Sequence, residues 1–120
     1  DHISAFWDFM PTFADLAGTK PPVEGDGLSL APTLLGRPEK QEKHPFLYWE
    51  YNARGTNQAV RMGRWKAVRF GATRKLELYD LKKDLGETTD VADRHPEVVA
   101  KIKDYLAGAR TESEFWKFKG

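Results

Sequence analysis

From Phe46 onward the chain carries four short runs rich in aromatic and branched residues, "FLYWEY", "QAVRM", "WKAVRF" and "LELYDL", separated by "NARGTN", "GR" and "GATRK". No other feature limits the possible folds as tightly. Successive side chains on a strand point to opposite faces, so a half-buried strand alternates apolar and polar residues. Val60 and Met62 alternate with Ala59 and Arg61, and Leu76 and Leu78 with Glu77 and Tyr79. Connections this short suit antiparallel neighbours, because a parallel pair needs a crossover of about a dozen residues or more. The pattern predicts a four-stranded antiparallel meander with one buried and one wet face. Its Gly63-Arg64 connection fits a type II′ turn, or type I′ if both residues take positive φ.

The segment "HPEVVAKIKDYLAGA" supplies a cover for the buried face. Pro96 suits the first helical position, Glu97 lies near the positive end of the helix dipole, and Val98, Val99, Ile102, Tyr105 and Leu106 form one stripe. Upstream, "DFMPTFADLAG" places Phe9, Met10, Phe13, Leu16 and Ala17 near helical spacing. Asp8 is a candidate cap and Gly18 a candidate stop, which predicts a short helix over about Phe9 to Ala17. The stretch "GTKPPVEGDG" reads as a connection, and "LSLAPTLLG" as one more helical turn with Ser29 as cap and Gly36 at its stop. The expected fold class is α+β: a four-stranded antiparallel sheet packed by a C-terminal helix, with a short N-terminal helix. At the C-terminus, "TESEFWKFKG" offers a capping box, Thr111 with Glu114, followed by exposed-looking Phe115, Trp116 and Phe118.

With 120 residues the chain reads as a single domain, residues 1–120. A formal net charge of +1 gives no field that would argue for nucleic acid or an anionic membrane. Cysteine is absent, which excludes disulfides, thiolate metal sites and a cysteine nucleophile within these residues. No apolar run approaches the roughly 20 residues needed to span a bilayer. The chain begins at Asp1, directly on the approach to a helix, so we expect a piece of a longer protein; a processed natural chain would read the same way.

Several constellations invite a chemical reading. "DLKKDLGETTD" resembles a calcium loop at first sight, but Lys82 occupies a ligand position and Gly86 falls one residue late for the sharp turn. Asp80, Asp84 and Glu87 are better explained as caps of turns, and Glu24 and Asp26 are too few for a metal. His2, His44 and His95 lie far apart, without a spaced partner, and read as surface or capping residues. Arg61, Arg64, Lys66, Arg69, Arg74 and Lys75, interleaved with Trp65 and Phe70, suit either a polyanion or a solvated strand face. Tyr48, Trp49, Tyr51, Trp65 and Tyr79 suit either a sugar platform or a sheet core. The residues alone give a small α+β domain without a complete catalytic site.

Five segments in order, "DFMPTFADLAG", "DGLSLAPTLLG", "PFLYWEY", "QAVRMGRWKAVR" and "LELYDLKKDLGETTDVADRHPE", together resemble the closing third of the sulfatase family. The likeness spans nearly the whole chain. It departs from the usual family form at Leu85 and Asp90, where proline and asparagine are common, and this touches turn chemistry alone. The resemblance implies the C-terminal subdomain of an arylsulfatase-type enzyme of the alkaline-phosphatase-like superfamily. The parent would hydrolyse sulfate esters of aryl or carbohydrate substrates, using calcium and a formylglycine made in a C/S-x-P-x-R motif that this chain lacks. No catalytic or metal residue carries over, so the chain by itself is expected to be inert and to act structurally.

In the same resemblance, loops of this subdomain rim the substrate pocket. "YNARGTN" is long and polar for a hairpin connection, and Tyr51, Asn52 and Arg54 are the candidate substrate-binding residues; a mobile solvated turn explains the loop equally. Expected partners are the protein's own N-terminal catalytic domain and a sulfated small molecule or glycan, with no nucleic acid and no membrane. An apolar surface around Phe6, Trp7, Phe46 and Trp49 would meet that domain, and the isolated piece would self-associate. The expected compartment is periplasmic or secreted. The alternative from another class is an independent glycan- or nucleic-acid-binding module using the basic and aromatic strands.

Overall fold

The computed structural model describes residues 2–23, 25–52 and 55–118. The chain divides into two compact units, one within residues 1–45 and one within 46–120.

In the second unit the meander is realised. Strands β1 (Leu47–Tyr51), β2 (Asn57–Met62), β3 (Trp65–Phe70) and β4 (Glu77–Asp80) lie in the order β1-β2-β3-β4, each antiparallel to the next. Registers Tyr48↔Val60, Val60↔Ala67 and Ala67↔Leu78 place these four side chains on one face. Helix α3 (Pro96–Gly108) covers that face: Val60, Ala67, Leu76, Leu78, Ala92 and Ile102 form the buried core, flanked by Val98, Val99, Tyr105 and Leu106. Gly63 takes φ 55° whereas Arg64 does not take positive φ, which selects the type II′ turn. Phe46 stacks on Tyr105 with ring centroids 4.1 Å apart. It therefore belongs to this core and leaves the surface patch expected around it.

Side-chain acceptors fix the exit from β4. Asp80 accepts from Arg64 Nε (2.7 Å) and the Lys82 N–H (3.2 Å). Asp84 accepts the N–H groups of Thr88 and Thr89, both at 2.8 Å. Asp90 accepts those of Leu78 (3.0 Å) and Ala92 (2.8 Å). Here an aspartate carboxylate ties the turn back to the strand. Glu87 is not a cap; it sits at φ 55° and pairs with Lys66 Nζ at 2.5 Å.

The first unit holds α1 (Phe9–Leu16) and the single turn α2 (Ala31–Leu34). Gly18 (φ 68°) and Gly36 (φ 73°) stand just past their ends, where a left-handed residue closes the last turn. Asp8 precedes α1, but its side chain does not cap the helix. It accepts the Ala5 N–H (2.7 Å) and, twenty residues on, the Leu28 N–H (2.9 Å). Thr12 Oγ1 donates to the Asp8 carbonyl (2.5 Å) and accepts the Leu30 N–H (2.8 Å). Asp8 and Thr12 thus clip the 28–30 segment to the helix. Gly27 lies so close to the turn that leads into α1 that an added Cβ would stand 2.3 Å from the Trp7 carbonyl oxygen.

The apolar stripe of α1 is exposed at Phe9, Met10, Phe13 and Leu16, while Thr12 and Ala14 are buried. The capping box at Thr111 and Glu114 starts no helix, because residues 110–118 form bends and irregular chain, with the Lys117 carbonyl bonded to Asn52 just past β1.

Candidate functional site

The β1–β2 connection carried the three candidate substrate residues, and Arg54 lies outside the described residues. Tyr51 ends β1 and is 64% exposed. Asn52 is tied inward: its Nδ2 donates to the Lys117 carbonyl (3.0 Å), while its Oδ1 is buried with no partner among the described residues. The structure therefore places Tyr51 and Asn52 at one edge of the sheet in different surroundings. Tyr51 presents a surface, and Asn52 joins the loop to the C-terminal segment.

A polar network runs from that segment across the sheet. Arg110, just past α3, donates through Nε to Glu50 (3.0 Å) and through Nη2 to the Trp116 carbonyl, and its Nη1 lies 2.6 Å from Glu112. Glu50 also accepts the Tyr48 hydroxyl (2.7 Å), which accepts from Gln58 Nε2 (2.8 Å). Gln58 Oε1 accepts from Arg69. Register explains the alignment, since Glu50 pairs with Gln58 and Gln58 with Arg69 across three neighbouring strands. The side chains of Arg110 and Glu50 are 12% and 7% exposed, so this ion pair is largely shielded from water.

Burial pushes the Tyr48 phenol up to about 12, and its bond to the Glu50 carboxylate adds to the rise. Near neutral pH Tyr48 is a neutral donor. The network contains donors and charges bonded to one another, but no nucleophile paired with a base. Among the described residues no three His, Cys, Asp or Glu side chains gather to hold a metal ion.

Sequence reading missed Arg110, Glu50 and Gln58 as members of a network that joins the sheet to the C-terminal segment. A signal was present: Glu50 and Gln58 share strand parity with Tyr48 and Val60, which puts polar groups on the covered face, where burial requires partners. The histidines separate in a similar way. His95 packs on Trp65 (4.6 Å between centroids) at the start of α3. His44 is not a surface residue, because its Nε2 lies 2.8 Å from the buried Asp8 carboxylate.

The basic stretch is mostly engaged. Arg61 donates to the Gly63 carbonyl (2.6 Å), Arg64 pairs with Asp80, Lys66 with Glu87 and Lys75 with Asp93 (3.0 Å), while Arg69 holds Gln58. The aromatic set is divided: Tyr48 and Trp65 pack against the core, whereas Trp49 and Tyr51 lie on the opposite face. No single sugar platform collects them.

The family described as N-sulphoglucosamine sulphohydrolase, C-terminal, matches residues 2–112. A Delta 4,5-hexuronate-2-O-sulfatase of Bacteroides thetaiotaomicron is 35% identical over 117 residues, covering 88% of this chain and 24% of that protein. Arylsulfatase K of Mus musculus is 31% identical over 110 residues, covering 82% of this chain and 20% of that protein. Among solved structures, a 2-O GAG sulfatase superposes with a TM-score of 0.74 at 35% identity, over 85% of this chain and 23% of that one. The chain thus spans about a quarter of the length of the relatives it matches.

Proposed function

Because this chain belongs to the N-sulphoglucosamine sulphohydrolase C-terminal family, and so is a C-terminal part of a sulfatase, we propose that its whole protein hydrolyses sulfate esters of carbohydrates. Aryl sulfates would serve as small surrogates. The reading rests above all on the family match over residues 2–112, joined to a four-stranded sheet and helix of the same architecture as a 2-O GAG sulfatase. Within that enzyme the 1–120 segment acts structurally, as one C-terminal domain docked on its own N-terminal catalytic domain. The formylglycine and calcium of sulfatase chemistry belong to that other domain, where they would supply the nucleophile and the positive charge at the ester.

This chain's contribution is at the rim. Arg54 and Tyr51 meet the organic or sugar part of the substrate, and Asn52 holds their loop to the C-terminal segment. Guanidinium donors suit sulfate and carboxylate groups of an acidic sugar. The compartment that fits such a substrate is periplasmic or secreted.

The test is turnover. Full-length protein is expected to release inorganic sulfate from an aryl sulfate and from a 2-O-sulfated unsaturated uronide, while the isolated 120-residue chain releases none. Arg54→Ala in the full-length enzyme should lower kcat/KM on the uronide about tenfold, a loss of about 1.4 kcal/mol in transition-state stabilisation. Release of phosphate from phosphate esters with no release of sulfate would refute the sulfatase reading. Metal-dependent turnover by the isolated chain would refute the assignment of catalysis to the other domain. An unchanged kcat/KM in the Arg54 variant would remove the rim role. The binding-module alternative places its site on the strands, where Arg61, Arg64, Lys66 and Arg69 are already engaged by acceptors, which counts against a site on that sheet.

A further inference from the structure

A groove of about 550 Å³ lies between the β3–β4 connection and α3, within the second unit. Its volume falls in the range of small-ligand sites. Leu76 and Val99 line it with apolar surface, and Arg74, Lys75 and Lys103 bring three cations to it, with Arg69 beside them held by Gln58. Asp93 is the one carboxylate among the lining residues, and Lys75 already engages it at 3.0 Å. Arg74 and Lys103 form no ion pair among the described residues. A tight turn fixes where Arg74 leaves the backbone: Gly71 takes φ 104° and its carbonyl accepts the Arg74 N–H at 3.1 Å.

The geometry points to a second role for this domain: we propose that the groove binds a sulfated segment of a carbohydrate chain. Net positive charge left unpaired over an apolar floor suits a sugar ring that carries anionic groups on its rim. Single-stranded nucleic acid fits poorly, since its bases need aromatic stacking surfaces and none of the lining residues is aromatic. The inference takes its ligand class from the sulfatase reading, whereas the anion site itself stands on the groove.

Binding of a heparin-derived hexasaccharide to full-length protein, followed by calorimetry over a range of salt, tests the assignment. Arg74→Ala/Lys103→Ala is expected to weaken binding about tenfold and to flatten its salt dependence, as loss of ionic contacts requires. Turnover of a small aryl sulfate should stay unchanged. Both side chains are exposed, so the variant should keep its melting temperature, and the charge-keeping Arg74→Lys/Lys103→Arg variant should restore binding. Equal affinity in wild type and the alanine variant, or equal affinity for the desulfated hexasaccharide, would overturn the groove while leaving sulfate release intact. Groove-dependent binding by a protein that releases no sulfate from any ester would uphold the groove and overturn the sulfatase reading.

Discussion

Asp8 has no exposed surface, and its charge is stable there because donors surround it. Burial alone would push its carboxyl up, but the Ala5 and Leu28 N–H groups, followed by His44, outweigh that and hold it below the ordinary 3.8. An ionised carboxylate only accepts, so His44 Nε2 carries the proton in their 2.8 Å contact. A lowered folded value means that the unfolded chain binds the proton more readily. Asp8 therefore stabilises fully above the unfolded value, and that contribution is lost as pH falls through the folded one. Asp80 and Asp84, also lowered, act in the same direction. Urea midpoints measured from neutrality into acid below pH 3.8 should fall in the wild type and fall less in Asp8→Asn. An identical acid slope in the two proteins would refute the assignment. Asp8→Ala, which strands two backbone donors in a buried site, should cost about 2–4 kcal/mol at neutral pH. The sequence marked Asp8 as a helix cap, but its partners at Leu28 and His44 lie twenty and thirty-six residues away, beyond any local pattern. Gly27 was equally illegible as a close approach. Gly27→Ala should destabilise by about 1–3 kcal/mol through overpacking against the Trp7 carbonyl, and chemical denaturation reads this directly.

Among the elements, legibility followed how one-sided their environment is. The strands and α3 were readable because each packs one face on a shared core and leaves the other wet, which writes a period of two or of 3.6 into the sequence. Ile102 shows how firmly that core is set: it is wholly buried against Val60, Leu78 and Ala67. Ile102→Ala should cost about 2–5 kcal/mol, lowering the urea midpoint of the second unit; a change below about 1 kcal/mol would mean that the helix does not seal the sheet. Helix α1 shows the limit of the same reasoning. Its periodicity announced a helix correctly, but the stripe of Phe9, Met10, Phe13 and Leu16 faces outward. Periodicity reports that one face is apolar; it cannot report whether the cover comes from within the same unit. The loop network was hidden for a related reason, since Arg110 reaches Glu50 across sixty residues and no local spacing encodes that contact.

At the scale of the whole molecule, the exposed aromatic side chains are explained by the proposed parent enzyme. In the first unit Phe6 is 85% and Phe13 64% exposed, and Phe9 bridges them with ring centroids 5.5 and 5.9 Å away. In the second unit Trp49, Tyr51 and Phe70 lie exposed on the sheet face opposite α3. Exposed apolar surface of this kind marks an interface, and the catalytic domain proposed above is the occupant that this reading assigns to it. Separated from it, the 120-residue chain should self-associate. Sedimentation velocity at rising concentration should show mass above that of a 13.7 kDa monomer, and Phe6→Ser/Phe13→Ser should shift the distribution back toward it. These residues are exposed, so the double variant should unfold at nearly the same urea concentration as the wild type. In the full-length enzyme the same two substitutions should instead weaken the domain contact, read as earlier thermal inactivation of sulfate release. A clean monomer at high concentration, together with unchanged inactivation in the full-length variant, would show that α1 faces solvent in the parent and that its aromatic stripe has no partner there.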